Sequence, residues 1–255
     1  MTVNMIKQLY QMKSKHSNYQ SIPKVLKNII GDEGLDVESR YETSRLEYIL
    51  KKVDLKEKTI LDIGGNTGFF SIESLNRGAK NVVYYEGNDI HCRFVKLASE
   101  ILGIENKINI NNEYFSFDEI ENKKYDITFL LNVIHHVGED YANRVKDVVM
   151  AKEFMINQLN SLSKISEYLI FQLGFNWKGN CDYPLFNNGT KAEMIEFIEK
   201  GISGYWDVID IGVAEVKNNS ISYNELSKSN IERNDAIGEF LNRPIFILKS
   251  CNFKS

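Results

Sequence analysis

Residues 59–70 read TILDIGGNTGFF, an apolar run that ends abruptly at Gly64 and Gly65 and resumes after Gly68. A short apolar run bounded by glycines predicts a buried β-strand, and the residues that follow Gly68 predict a helix. Glycines at such a turn let the backbone come close to a ligand. The segment therefore predicts a strand, a ligand-binding turn and a helix in succession.

The glycine spacing argues against two phosphate-binding motifs. A P-loop ends in Gly-Lys-Ser/Thr, whereas Gly68 is followed by Phe69. The dinucleotide motif G-x-G-x-x-G, counted from Gly64 or Gly65, meets Asn66 or Thr67 where its second glycine should stand. What remains is Gly64-x-x-x-Gly68 preceded by Asp62.

From Lys58 onward strands alternate with helices, which predicts an α/β fold with a mostly parallel, seven-stranded sheet and helices on both faces. Helices are expected to form an N-terminal cap over residues 1–55, and the ligand-binding domain is expected over 56–255. Ser21 is the expected N-cap residue of the helix over 22–30. The polar connection between the last two strands allows them to pair antiparallel. The predicted strands are 58–63, 81–85, 107–110, 125–131, 167–173, 206–211 and 244–249, and the predicted helices are 3–13, 22–30, 38–52, 68–77, 89–102, 141–165 and 190–200.

The composition limits the binding partners and the cellular compartment that we expect. The 255 residues carry a net charge of −4, which disfavours nucleic acid as a partner. Three scattered cysteines without a CxxC pair indicate a reducing, cytoplasmic setting. No apolar run reaches the ~18 residues that a membrane span needs. The sequence leaves open whether the protein is a monomer or a homodimer.

Two motifs carry a resemblance to a known family. The first is Asp62 with Gly64-x-x-x-Gly68, and the second is Asn132-Val-Ile-His-His136 at the end of the fourth strand. Over roughly residues 40–175 the chain resembles the class I, Rossmann-like methyltransferases that depend on S-adenosyl-L-methionine (SAM). The resemblance implies that the glycine turn lies beneath the methionine part of SAM and that S-adenosyl-L-homocysteine (SAH) is the product.

A carboxylate follows the second strand, about twenty residues after the glycine turn. Glu86 stands where such a group accepts hydrogen bonds from both ribose hydroxyls, in SAM as in NAD. In the family, the loop after the third strand places a polar and an apolar residue against adenine, for which Asn112 or Glu113 and Tyr114 or Phe115 are available. An arginine or tyrosine before the first strand reaches the cofactor's carboxylate, for which Arg40, Tyr41 and Arg45 are available. The expected cofactor-binding residues are Asp62, Gly64, Gly65, Asn66, Gly68, Glu86, Glu113, Tyr114, Asn132, Tyr41 and Arg45.

The paired histidines bear on the chemistry. Histidine can take the proton of a hydroxyl near neutral pH, so His136 or His135 is the expected catalytic base, with His136 preferred, and O-methylation is favoured. No metal is expected, because Asn132 stands where metal-dependent relatives that act on catechols have acidic residues. Residues 172–186 form a long aromatic connection at the same sheet edge, and Trp177, Tyr183 and Asp182 are the expected substrate-binding residues.

The expected function is methyl transfer from SAM to a small-molecule or saccharide acceptor, such as a sugar or polysaccharide precursor. The alternatives are an RNA or N-directed methyltransferase and a non-catalytic SAM-binding protein. The fourth motif lacks the Asn-Pro-Pro-aromatic sequence typical of many enzymes that methylate base amino groups.

Overall fold

The computed structural model describes residues 2–14, 20–31, 33–37, 39–118, 120, 123–218 and 220–254. Its centre is one eight-stranded sheet in the order β3-β2-β1-β4-β5-β8-β6-β7. The strands are β1 (Thr59–Ile63), β2 (Asn81–Tyr85), β3 (Ile108–Asn111), β4 (Tyr125–Leu131), β5 (Ser166–Gln172), β6 (Trp206–Lys217), β7 (Ser220–Glu225) and β8 (Ile245–Ser250).

The first five strands are parallel, so their carboxyl ends meet at one edge of the sheet. Strand β8 runs antiparallel to both β5 and β6, which confirms the antiparallel pairing expected of the last two predicted strands. Successive side chains of the buried strands enter opposite faces: Ile60 packs with one hydrophobic cluster and Leu61 with the other. Burial on both faces explains why these strands read as nearly continuous apolar runs.

Helices cover both faces of the sheet, as predicted. Helices α1 to α5 pack on one face and α6 and α7 on the other. The helices are α1 (Thr2–Gln11), α2 (Lys24–Ile30), α3 (Glu42–Leu50), α4 (Phe69–Asn76), α5 (Asp89–Leu102), α6 (Val148–Leu162), α7 (Lys191–Ile202) and α8 (Gly238–Leu241). Within the part of the chain that the structure describes, no helix is long and apolar enough to cross a bilayer.

The structure corrects three details of the sequence prediction. An eighth strand, β7, forms a hairpin with an extended β6. It was missed because its sequence, SISYNE, is polar. The helix predicted over 141–165 begins only at Val148, where the Asp147 side chain accepts from the Met150 N–H. The helix predicted over 38–52 is observed at Glu42–Leu50; Glu38 itself lies outside the described residues.

A side chain of the N-terminal region caps a helix of the sheet domain, and a side chain of that helix caps an N-terminal helix. The side-chain oxygen of Gln20 accepts from the Thr67 hydroxyl at 2.9 Å and from the Phe69 N–H at 3.0 Å, at the start of α4. In return, Glu73 of α4 accepts from the Lys24 N–H at 2.7 Å, at the start of α2. Ser21 is therefore not the N-cap of α2; its hydroxyl donates instead to Glu42 at 2.7 Å.

Candidate active site

A cavity of about 530 Å³ opens at the carboxyl edge of the parallel strands. This is where open α/β sheets bind ligands, and the volume is typical of small-molecule sites. Its walls come from the ends of β1, β2 and β4, from the loop after β3, from α3, and from the chain around residues 178 and 240.

The glycine turn forms the floor of the cavity. Gly64 and Gly68 have φ of 69° and 75°, a region that favours glycine. A Cβ at Gly64 would lie 2.6 Å from Val133 Cγ2, and one at Gly68 would lie 2.8 Å from Val95 Cγ2. A Cβ at Gly65 would collide with the Tyr84 ring. The backbone conformation of the turn and its packing therefore require these glycines. This packing holds the turn close beneath the cavity.

Glu86 is fixed by the turn that it faces. Its two carboxylate oxygens accept from the backbone N–H groups of Asn66, at 3.0 Å, and Asn88, at 2.8 Å. The side chain is 14% exposed and lines the cavity. A carboxylate has further lone pairs, so it can still accept hydroxyl hydrogens from a ribose.

Asp62 lies beneath the turn with its carboxyl group buried. Burial raises the pKa of this carboxyl to about 7; the nearby negative charge of Glu86 adds to the effect, and the hydrogen bond from Ser71 opposes it. The Ser71 hydroxyl donates to Asp62 Oδ2 at 2.6 Å. A bound cation would favour the ionised form of this side chain.

The loop after β3 closes the side of the cavity next to Glu86. Tyr114 covers Gly87, where a Cβ would lie 2.5 Å from the ring, and it stacks on Tyr141. Glu113, Tyr114 and Phe115 line the cavity. The Asn112 side chain donates instead to the Glu86 carbonyl. We name Asp62, Glu86 and Glu113 the acidic half of the cavity.

The two histidines after β4 both line the cavity, but they differ in burial and in hydrogen bonding. His135 is buried, and its Nδ1 accepts from the Gly174 N–H at 3.4 Å. His136 is more open, and its Nδ1 lies 3.2 Å from Glu139 Oε2 and 3.8 Å from Asp140 Oδ2. A proton on Nδ1 of His136, shared with these carboxylates, leaves Nε2 with a lone pair.

His136, Glu139 and Asp140 form a candidate cation site. Ligand atoms of His136, Glu139 and Asp140 lie within 4.8 Å of one another. Hydrogen bonding between the imidazole and Glu139 accounts for the closeness without an ion. The expectation that activity needs no metal therefore stays a prediction.

Arginines and a lysine line the opposite side. Arg40, Arg45, Arg243 and Lys178 face the cavity, and we name them its basic half. A hydrogen-bond network joins this half to the strand ends. Arg45 Nη1 and Asn132 Nδ2 both donate to Gln172 Oε1, at 3.3 and 2.9 Å. Arg243 Nη1 donates to Asn132 Oδ1 at 2.8 Å.

Most of the predicted cofactor residues line this cavity, and some predicted site residues do not. The structure brings together Asp62, Gly64, Gly65, Asn66, Glu86, Glu113, Tyr114, Asn132, Arg45, His135 and His136. Gly68 lies behind the turn, against Val95. Tyr41 is 40% exposed at the start of α3 and does not line the cavity as the described residues define it.

The predicted substrate-binding residues lie outside the cavity that the described residues form. Trp177 is buried, and its indole N–H donates to the Val137 carbonyl at 2.6 Å. Tyr183 packs edge-on against Trp177, and Asp182 is exposed nearby. Lys178 and Gly179, between them in sequence, face the cavity instead. Sequence reasoning also missed Gln20, Phe240 and Arg243, which no motif identifies.

Comparisons with known proteins agree with this fold. No protein-family model matches the chain. Over 91 residues it is 38% identical to MJ0928 of Methanocaldococcus jannaschii, provisionally named a protein N5-glutamine methyltransferase. The match covers 34% of this chain and 43% of that relative, so the chain matches less than half of the relative's length.

Two solved methyltransferase structures extend the likeness. WbdD, a bifunctional kinase–methyltransferase, is similar over 97% of this chain and 47% of its own, with a TM-score of 0.61 and 15% identity. SMU.776, provisionally named a methyltransferase and solved with SAH, is similar over 80% of this chain and 48% of its own, with a TM-score of 0.53 and 14% identity. The chain has the α/β fold of these proteins, and the predicted resemblance to class I SAM-dependent methyltransferases is confirmed.

Proposed function

We propose that the protein transfers a methyl group from SAM to an oxygen of a small-molecule acceptor. The observation that carries this proposal is that Glu86, expected to hold the ribose, and His136, expected to act as the base, line one cavity. Cofactor and acceptor can therefore meet there. The SAH complex of SMU.776 and the methyltransferase relatives support SAM as the cofactor.

The residues present fit SAM. The acidic half suits a ligand that carries a sulfonium and an ammonium group, because Asp62 and Glu86 supply negative charge beside the turn. The expected contacts are Glu86 with the ribose and Glu113 and Tyr114 with the adenine. Arg45 is expected near the carboxylate. When bound, SAM supplies an electrophilic methyl group.

The residues around β4 would then orient and deprotonate the acceptor. His136 Nε2 would take the hydroxyl proton as the acceptor oxygen bonds to the methyl carbon and the carbon–sulfur bond breaks. The electron pair of that bond stays on sulfur, which leaves SAH. Glu139 and Asp140 would hold the imidazole by Nδ1 and stabilise its positive charge.

A sugar or a glycan precursor is the acceptor that we favour, because its hydroxyl groups suit deprotonation by His136. Methylation of protein glutamine, the activity provisionally assigned to MJ0928, is the second candidate because of the 38% identity. Asn132-Val-Ile-His135 lacks the two prolines of many amino-methylating enzymes, and this favours an oxygen acceptor.

Calorimetry with SAM, SAH and NAD, followed by turnover assays, tests the proposal. In calorimetry we expect SAM and SAH to bind and NAD not to bind. In the turnover assays we expect SAH to accumulate with one member of a panel of sugars, nucleotide sugars, peptides and RNA. Binding of SAM without turnover across the panel would indicate a non-catalytic SAM-binding protein. Binding of NAD instead of SAM would overturn the proposal.

A further inference from the structure

The backbone N–H groups of the glycine turn are already used within the protein. From Gly64 to Phe69, all of which the structure describes, each N–H group donates to an acceptor of the chain itself. These acceptors are the carbonyls of Tyr85 and Gly65 and the side chains of Glu86, Asn66 and Gln20. A turn that leads into a helix often binds an anion through free N–H groups. Because residues 64–69 have none free, an anionic group placed over them needs side-chain donors.

Gln20 contacts the turn and also lines the cavity, where it is 8% exposed. Its Oε1 accepts from the Phe69 N–H at 3.0 Å and from the Thr67 hydroxyl at 2.9 Å. A backbone N–H can only donate, so this bond fixes which end of the Gln20 amide is the oxygen. The other end, Nε2, carries two N–H donors and has no hydrogen-bond partner among the described residues. These donors are therefore left for a ligand in the cavity.

Gln20 lies on the same side of the cavity as Arg45. The next residue, Ser21, donates to Glu42 Oε2 from its N–H at 3.2 Å and from its hydroxyl at 2.7 Å. Glu42 Oε1 accepts from Arg45 Nη2 at 3.2 Å. Arg45 also lies over the ring of Phe70, which directly follows the turn. One carboxylate therefore holds Gln20 and Arg45 as neighbours beside the start of α4.

The chemistry of Gln20 Nε2 selects one part of SAM. A group that only donates hydrogen bonds cannot bind the ammonium group, which also only donates. The ribose hydroxyls are expected at Glu86, and the adenine is expected at the loop after β3. The carboxylate of the methionine part is the acceptor that remains.

We propose that Gln20 binds the carboxylate of the methionine part of SAM through Nε2, beside Arg45. Hydrogen bonds to an ionised acceptor are stronger than those between neutral groups. An amide donor is itself neutral, so it binds the carboxylate without repelling the sulfonium and the ammonium group of the same ligand. Since Gln20 precedes α2, the N-terminal region then supplies a residue of the cofactor site. This inference rests on the proposed function, which places SAM in the cavity.

Calorimetry with SAH and with decarboxylated SAH tests the inference. Decarboxylated SAH keeps the adenosine, the sulfur and the amine, and lacks only the carboxylate. The unaltered protein should bind SAH at least roughly tenfold more tightly, the contribution of about one charged hydrogen bond. In Gln20→Glu an oxygen can still accept from the Phe69 N–H, but a negative charge replaces the Nε2 donors. We expect the dissociation constant of SAH to rise at least roughly tenfold and that of decarboxylated SAH not to rise.

Gln8→Glu is the matched control, because it makes the same chemical change at an exposed position of α1 that is not part of the described cavity wall. It should leave both dissociation constants unchanged. Equal binding of the two ligands by the unaltered protein would overturn the inference. Equal weakening of both ligands in Gln20→Glu, complete loss included, or an unchanged affinity of this variant for SAH would also overturn it. Failure of the unaltered protein to bind either ligand would instead overturn the proposed function.

Discussion

The acidic and basic halves of the cavity are built by different means. In the acidic half the backbone holds the side chains: two N–H groups bind the Glu86 carboxylate, at the ends of strands buried on both faces. In the basic half side chains hold one another: Arg45 contacts Glu42 and Gln172, and Arg243 contacts Asn132 and Glu239. The first half is therefore preorganised by the fold. The second is held by side chains alone, so a few substitutions can change it.

The backbone-built half should tolerate substitution least, and Gly64→Val is its sharpest test. Valine would be strained at φ 69° and would crowd Val133, each at a cost of about 1–3 kcal/mol. We expect the free energy of unfolding to fall by about 2–5 kcal/mol and SAM binding to become undetectable. Urea unfolding and calorimetry measure the two effects.

Gly103→Val is the matched control for this change. Gly103 has a similar φ of 65°, but a Cβ there would have no described atom within 4 Å. Gly103→Val should therefore be destabilised by the backbone strain alone. Equal effects of the two substitutions would mean that Val133 does not fix the turn.

His136 lies at the boundary between the halves. His136→Gln should slow the methyl-transfer step without weakening cofactor binding. We expect single-turnover methylation to slow by about 10²–10³-fold, the usual contribution of a general base, while the dissociation constant of SAH changes less than about threefold. Glu139→Gln should slow the same step by roughly tenfold, because it weakens the hold on Nδ1. An unchanged rate in His136→Gln would remove this residue from the mechanism.

The acidic half should also show a pH dependence. The folded protein holds the Asp62 proton more tightly than the unfolded chain, since burial raises its pKa from 3.8 to about 7. The stability of the cofactor-free protein should therefore fall as pH rises from about 4 through about 7. Affinity for SAM should rise about tenfold between pH 6 and pH 8, because the ionised form attracts the cation.

Asp62→Asn separates this effect from other titrations. The asparagine cannot ionise, so both pH dependences should disappear and the affinity for SAM at pH 8 should fall. A SAM affinity that keeps its pH dependence in this variant would assign the titration to another group.

The smallest effect is expected outside both halves. Tyr183 is 47% exposed, packs edge-on against Trp177 and does not line the cavity as the described residues define it. Tyr183→Ala should change the rate of single-turnover methylation by less than about twofold. A loss comparable with that of His136→Gln would support the sequence-based prediction that this loop binds substrate.

The sequence predicted the acidic half well because each of its residues lies next to a strand end. Glycine spacing and the distance from Gly64 to Glu86 are local patterns, and parallel strands bring their carboxyl ends together. The basic half joins residues 40–45, 178 and 240–243, and no periodicity links them. The aromatic residues of the loop at 172–186 indicated a binding surface, but Trp177 is used for packing and the backbone turns Lys178 inward at φ 58°. Strand β7 was missed for a related reason, since its polar sequence depends on β6 for its conformation.

The reciprocal capping by Gln20 and Glu73 has a practical consequence for recombinant fragments. A fragment that begins at residue 56 would leave the first amide of α4 without the oxygen that now satisfies it, directly behind the glycine turn. It would also uncover the apolar side of α5, on which α1 and α2 rest. Such a truncation would damage the floor of the cavity from behind, so the N-terminal helices belong in any preparation intended for crystallisation or ligand screening.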